Sequence, residues 1–276
     1  MEAGCSRCGG NGYVTLARVD SAVAEICGCN AVCRHCNGEG YVHVEDQRGY
    51  VFAKKCRCQA LVTRIERFNQ AQLPSLYHDK LLEYFEPLGG NQREVRYHAF
   101  KFRKEFAVGG RGILYWGGPG VGKTHLMAAM VRYLTLELGI RSRFIDFFHL
   151  VTDLHRQWKS GKSGASLIEP VIEIPVLAID ELGKGRSSDW TLDLLDEIIS
   201  KRYNRRLTTF FTTNLTVKTE GRSNVVPPMP AEKAALTESL DERVGPRIHS
   251  RILEMCEVIN IYGPDYRMQT NSEGGR

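Results

Sequence analysis

No run of the 276-residue chain approaches the ~20 consecutive apolar residues that cross a bilayer, so no membrane partner is expected. The opening residues, MEAGCSRCGG, lack a basic flank, an apolar core and a cleavage site. No secretory leader is expected from them, and the expected compartment is the cytoplasm. Strong charge of one sign is also missing. Lys and Arg total 37 against 32 Asp and Glu, a net +5 that neither demands nor excludes nucleic acid. Cysteine is scarce over most of the chain: of nine, eight lie within residues 5–58 and Cys256 stands alone. The length fits one full-sized domain plus a small one.

The crowded cysteines are a tandem repeat. CSRCGGNGYV at 5–14 returns as CRHCNGEGYV at 33–42, and each copy closes with Cys-x-Cys (Cys27 and Cys29, then Cys56 and Cys58). Matching cysteines stand 28, 28, 29 and 29 residues apart, a duplication with one inserted residue. Disulfides would need a secreted chain, and a redox Cys-x-x-Cys would need a thioredoxin-like βαβ setting. Four thiolates per copy instead suit one tetrahedral Zn²⁺, two ions in all. The ligands are Cys5, Cys8, Cys27, Cys29, Cys33, Cys36, Cys56 and Cys58. Sequential sites are the simplest pairing; a nested one, with Cys5, Cys8, Cys56 and Cys58 on one ion, stays open. Alternating stretches between the cysteine pairs predict short strands in hairpins. The phrase Cys-x-x-Cys-x-Gly-x-Gly resembles the zinc repeats of DnaJ-type co-chaperones, although no J-domain or His-Pro-Asp signature accompanies it. Residues 1–70 carry nine Lys/Arg and seven Asp/Glu. Two zinc ions on eight thiolates bring the module to about −2, which fits a protein-docking platform better than a nucleic-acid finger.

Residues 113–124, ILYWGGPGVGKT, join an apolar strand to Gly-x-x-x-x-Gly-Lys-Thr, and the helical run HLMAAMVRYLTLELG follows. This is a phosphate-binding loop in its required context. The glycines let the backbone N–H groups of this loop, formed by Gly117, Gly118, Pro119, Gly120, Val121 and Gly122, wrap ATP phosphates, and His125 completes the expected nucleotide-binding set. Lys123 would meet the β- and γ-phosphates and Thr124 would ligate Mg²⁺. IPVLAIDE at 174–181 is a buried strand ending in Asp180, a Mg²⁺ holder through water, and Glu181, which polarises the attacking water. TTFFTTN at 208–214 ends in Asn214, either a water-orienting residue or a plain strand-ending turn. With SRFIDFF (142–148) and EVINIYG (257–263) these make five strands alternating with helices, an α/β fold with a parallel sheet. In TLDLLDEIISKRYN, Leu192, Leu195, Ile199 and Tyr203 are the expected core positions. The expected division is a zinc module over 1–60, a helical linker over 61–73, an ATPase core over 74–268 and a tail over 269–276.

The runs GGPGVGKTHL, LAIDELG, FFTTNL, RIHSRILEM and GPDYR, preceded by AQLPSLYHDKLLEYFEP, resemble the AAA+ core of DnaC/DnaI-type replicative helicase loaders and their IstB relatives over about 70% of the chain. The resemblance implies Arg251 as an arginine finger acting on a neighbouring subunit's γ-phosphate, with Arg243 and Arg247 close by in sequence. It implies Arg267 as a second nucleotide sensor and no full helical lid domain after the last strand. It also implies single-stranded DNA contacts in the segment 147–170, where Arg156, Lys159 and Lys162 surround Trp158 and combine charge with a stacking ring. DNA replication is then the setting: an oligomeric ATPase, slow alone, whose zinc module docks the hexameric replicative helicase. A transposase helper of the IstB kind is the alternative, and a zinc-repeat chaperone or adaptor the third. The insertion 218–245 reads as a surface loop or a contact element.

Overall fold

The computed structural model describes residues 4–160, 164–185, 188–219 and 238–268. Its contacts divide the chain into two compact units, Met1–Asp79 with Arg132–Arg141, and Lys80–Val131 with Ser142–Arg276. The expected tail, 269–276, lies outside the described residues.

In the first unit each repeat forms an antiparallel hairpin, β1 (Tyr13–Ala17) with β2 (Ala22–Ile26) and β3 (Tyr41–Glu45) with β4 (Val51–Lys55). Residues 61–73 lie in helix α1 (Cys58–Ala71) and the turn after it. The two hairpins match in length but not in surroundings. β2 lies against α1, where Asn69 accepts from the Ala24 N–H at 2.7 Å and donates to the Ala24 carbonyl at 3.1 Å. A side-chain amide thus supplies the pairing that a third strand would give. Tyr13, Ala22 and Ala24 are buried there. By contrast, every residue of β4 is exposed and none of β3 is buried. Tyr41, Tyr50, Val51 and Phe52 face solvent.

The second unit is built on β5 (Gly112–Trp116), β6 (Ser142–Asp146), β7 (Val176–Asp180), β8 (Thr208–Thr213) and β9 (Cys256–Asn260). All pairings are parallel, in the order β6-β7-β8-β5-β9, and every residue of β5, β7 and β8 is buried. Near-continuous apolar runs such as ILYW and VLAI belong in such doubly covered strands. The helices are α2 (Gln92–Glu105), α3 (Lys123–Leu136), α4 (Phe147–Lys159), α5 (Ala165–Glu173), α6 (Asp189–Asn204), α7 (Leu240–Val244) and α8 (Pro246–Met255). The last turn of α3 falls in the first unit. Ser188 caps α6 by accepting from the Thr191 N–H at 3.2 Å, and a Ser239–Glu242 capping box opens α7. On one face of the sheet Leu114, Ile179 and Phe211 pack with Ile198 and Ile199 of α6 and Ile252 and Leu253 of α8.

The inward face of α6 differs from the sequence expectation. Leu194, Leu195, Ile198, Ile199 and Arg202 are buried, whereas Leu192 and Tyr203 are half-buried. An arginine holds the last core position. Arg202 is fully buried and donates to the carbonyls of Val171 (3.0 Å), Ile172 (3.1 Å), Ile174 (2.8 Å) and Thr208 (2.7 Å), and to Thr209 Oγ1 (3.0 Å). It ties the end of α5, and Ile174 just after it, to β8. Its burial pulls its pKa down to about 9, a cost offset by these five acceptors.

Candidate functional site

The loops that leave β5, β7 and β8 converge at the carboxyl ends of the strands, where open parallel sheets hold their ligands. Lys123, the first residue of α3, is buried and donates Nζ–H to the Gly117 and Gly118 carbonyls (2.9 and 2.6 Å) and to Asn214 Oδ1 (2.7 Å). Asn214 follows β8, so the middle strand reaches the phosphate-loop lysine. Beside them Thr124 Oγ1 donates to Asp180 Oδ1 at 3.0 Å, and Thr212 Oγ1 donates to the same oxygen. A hydroxyl and a carboxylate at this separation offer the hard oxygen donors that Mg²⁺ takes.

The electrostatics follow from burial. Desolvation pulls the Lys123 ammonium from 10.5 down to about 8, opposed by the charge of Asp180 and reinforced by that of Arg267. Burial raises the Asp180 carboxyl, while hydrogen bonds from Thr212 and Thr124 act the other way. A bound polyphosphate with Mg²⁺ would compensate both groups, since it would bring negative charge to the lysine and positive charge to the aspartate.

The loop itself is held from beneath by residues outside the Gly-x-x-x-x-Gly-Lys-Thr motif. At Gly120 φ is +72°, and a Cβ would stand 1.8 Å from Asp265 Oδ1. The left-handed backbone and the Asp265 carboxylate against it both favour glycine there. Tyr266 N donates to the Gly120 carbonyl at 3.1 Å and Arg267 N to Asp265 Oδ1 at 2.8 Å, so GPDYR is docked against the phosphate loop. Gln92 Nε2 donates to the Val121 carbonyl at 3.3 Å. Buried Asn91 bridges to β9's exit, donating to the Asn260 carbonyl and accepting from Tyr262 N, both at 2.9 Å. Phe85 meets His125 edge-on at 5.5 Å and Tyr266 at 5.8 Å. His125 Nε2 lies 2.9 Å from the Leu81 carbonyl, so the imidazole is engaged with the entry segment. The signal for Asn91 and Gln92 was GGNQ, a polar turn with a structural task; the signal for Thr212 was its hydroxyl in a strand too apolar to be exposed.

Other expected residues lie elsewhere. Glu181 follows Asp180 with φ +53°, and its N–H donates to Thr212 Oγ1 at 3.0 Å. Arg251, on α8, has its partners on α6, where it bonds Asp196 and Ser200. Arg156 and Lys159 are exposed on α4, and Arg156 pairs with Asp153 at 3.3 Å. Lys162 and the side chain of Trp158 lie outside the described residues. Within the insertion 218–245, Lys218 pairs with Asp241 (3.1 Å) and Glu242 (3.4 Å) of α7, while 220–237 lie outside the described residues.

The thiols gather sequentially. Cys5, Cys8, Cys27 and Cys29 form one group and Cys33, Cys36, Cys56 and Cys58 another, each with its sulfurs within 4.8 Å of one another. The nested set is not the one brought together. Sulfur separations are 3.9 Å (Cys5–Cys27), 3.5 Å (Cys8–Cys29), 3.8 Å (Cys33–Cys56) and 3.6 Å (Cys36–Cys58). A Zn–S bond of about 2.3 Å sets the edge of a regular tetrahedron at about 3.8 Å, so the cages have the size for zinc. Gly40 N donates to Cys36 Sγ at 3.2 Å. Backbone N–H groups lower the Cys8 thiol to about 6, Gly12 contributing most, and the Cys33 thiol to about 6, His35 contributing most. In the same groups Cys29 is pushed up to about 12, chiefly by its bond with Cys8, and Cys58 to about 12, chiefly by burial, so without a metal each cage divides into low and high thiols. Among the described residues no helix is long and apolar enough to cross a membrane.

Comparison with known proteins agrees with this geometry. Residues 64–274 match the family model described as IstB-like ATP binding protein. The crystal structure of the DnaC helicase loader is 33% identical, covering 68% of this chain and 99% of that one, with a TM-score of 0.55. The crystal structure of DnaI, 24% identical, covers 72% of this chain and 98% of its own at a TM-score of 0.53, a likeness of fold. The replicative helicase loader DnaC of Escherichia coli (strain K12) is 23% identical over 184 residues, 64% of this chain and 73% of its own. Against some other curated relatives the chain spans little more than half their length, such as 56% of the E. coli protein YdaV. A phosphate loop whose lysine meets Asn214, a threonine–aspartate pair beside it and a family match over most of the chain lead to one assignment: the chain belongs to the IstB-like ATP-binding family, with an AAA+ fold like that of DnaC.

Proposed function

We propose that this protein is an ATP-dependent loader of the hexameric replicative helicase. The observation that carries the reading is the pair of contacts Lys123–Asn214 and Thr124–Asp180, which sets a phosphate ligand and a Mg²⁺ pair side by side. ATP binds with its β- and γ-phosphates on Lys123 and the loop N–H groups, and Thr124 and Asp180 hold Mg²⁺. Hydrolysis uses Glu181 as base. The proton of a water passes to its carboxylate as the water oxygen bonds the γ-phosphorus. The bond from that phosphorus to the bridging oxygen breaks, and its electron pair leaves on ADP. Arg251 of a neighbouring copy supplies positive charge to the transition state, so copies self-associate through ATP, and Arg267 senses the nucleotide. Single-stranded DNA is held by the segment containing Arg156 and Lys159. The zinc module, with one ion per cysteine group, docks the helicase. Two relatives bear the name helicase loader, which supports this choice of cargo.

The test is light-scattering mass after mixing with the hexameric replicative helicase of the same organism, with and without ATP. A complex that forms with the full chain and is lost when the cysteines of both groups are replaced by serine supports the reading. No complex, from protein that still binds ATP and single-stranded DNA, refutes it. The IstB-like family model favours a second reading, a DNA-bound ATPase that recruits a transposase, and that outcome would promote it.

A further inference from the structure

The turn after β7 carries a lysine that no motif accounts for. Leu182 N donates to the Thr212 carbonyl and Thr213 Oγ1 to the Leu182 carbonyl, both at 2.8 Å, which pins the turn to β8. Gly183, with φ +82°, reverses the chain, and Lys184 N closes the turn on the Glu181 carbonyl at 3.0 Å. The reversal is fitted to its surroundings: a Cβ at Gly183 would stand 2.7 Å from Leu215 Cδ1 and 3.1 Å from Arg243 Cγ. Arg243 in turn donates to the Gly185 carbonyl and is fixed by Glu238, with Nε at 2.9 Å from Oε1. The result is a braced turn that brings the Lys184 ammonium onto Glu181 Oε2.

We infer that Lys184 is a positioning residue that restrains Glu181, holding the carboxylate off the attacking water. The inference rests on the reading of Glu181 as the base. An oxygen that accepts from an ammonium has one lone pair fewer for the water's proton, and the bond fixes the carboxylate's rotamer toward the turn. Lys184 is about half exposed, with a side-chain exposure of 55% against 32% for Glu181. The ammonium is therefore open to exchange with solution. That same bond raises its pKa, which keeps it charged. The braced turn separates this contact from an ordinary surface pair, because the ammonium is delivered by backbone that does not have to be ordered for the purpose.

Steady-state ATPase of the full chain tests it, using wild type, Lys184→Gln, Lys184→Arg and Glu181→Gln. Lys184→Gln is expected to raise kcat about two- to fivefold, the rate equivalent of an exposed ion pair. The KM for ATP should hold, and Lys184→Arg, which keeps the pairing, should stay at the wild-type rate. A merely structural lysine would not give that split or that rescue. If wild type outpaces Glu181→Gln but Lys184→Gln is no faster than wild type, or Lys184→Arg is accelerated equally, the restraint is overturned and the base assignment stands. If wild type is no faster than Glu181→Gln, the base assignment itself falls and the restraint with it.

Discussion

Arg251 donates to Asp196 Oδ1 at 2.7 Å across the contact between α8 and α6, and Arg247 approaches the other oxygen at 3.7 Å. The arginine that the resemblance selects as a finger is thus anchored on its own chain, while Arg247 is 72% exposed. The pair separates two roles. Arg251→Ala should lose about 1 kcal/mol of stability with the bonds to Asp196 and Ser200. It should also lower assembled ATPase turnover by roughly a thousandfold while leaving ATP binding intact. Arg247→Ala, measured alongside, should change turnover little. The reverse pattern would move the finger to Arg247.

Lys123 should make nucleotide binding pH-dependent. Its pKa in the folded chain is about 8 against an ordinary 10.5. The folded state therefore gives up this proton first, and the stability cost of the buried ammonium, full below pH about 8, fades as the pH rises toward the ordinary value. Bound phosphates favour the ammonium, so ATP binding at pH about 8 should take up roughly half a proton, and close to none at pH about 6.5. Calorimetry in two buffers of different ionisation enthalpy measures this directly. Equal apparent enthalpies at pH about 8 would contradict it.

The cysteine groups should bind about two zinc ions per chain by elemental analysis, as four-thiolate sites require. Chelation should then affect the hairpins unequally. The first keeps its contacts to α1 through Asn69 and its buried Tyr13 and Ala24. The second has no buried strand residue. Hydrogen exchange after chelation should rise first over residues 41–55 and later over residues 13–26. Simultaneous loss of protection would count against the difference.

The nucleotide site was legible where chemistry fixes residue type and spacing together. Lys123 meets Asn214 and Thr124 meets Asp180, residues that the sequence had singled out, because a strand, a tight loop and a helix terminus leave little freedom. The paired cysteines were equally plain, but their grouping was not, since spacing alone permits sequential and nested cages alike. α6 misled because a helix face is inferred from apolar residues, and Arg202 sits inside by virtue of carbonyls on α5, at Ile174 after it and on β8. Phe85, Asn91 and Gln92 escaped because their roles depend on chain over 100 residues away or on a loop that must first fold, as with Asn91 and Tyr262. Lys184 escaped because an i,i+3 contact inside a turn leaves no periodic trace.

A hairpin of two strands is all margin, with one side of each strand left outside the pairing. In the first hairpin the margin of β2 is closed by Asn69. β4 is exposed along its length, and a bare strand of this kind is a template on which an identical strand can stack. Its sequence, VFAKK, ends in two adjacent charges, Lys54 and Lys55. Parallel, in-register stacking of two copies would set lysine against lysine. In such a stack the two ammonium groups would repel their counterparts, a charge placed where a bare strand would otherwise pair.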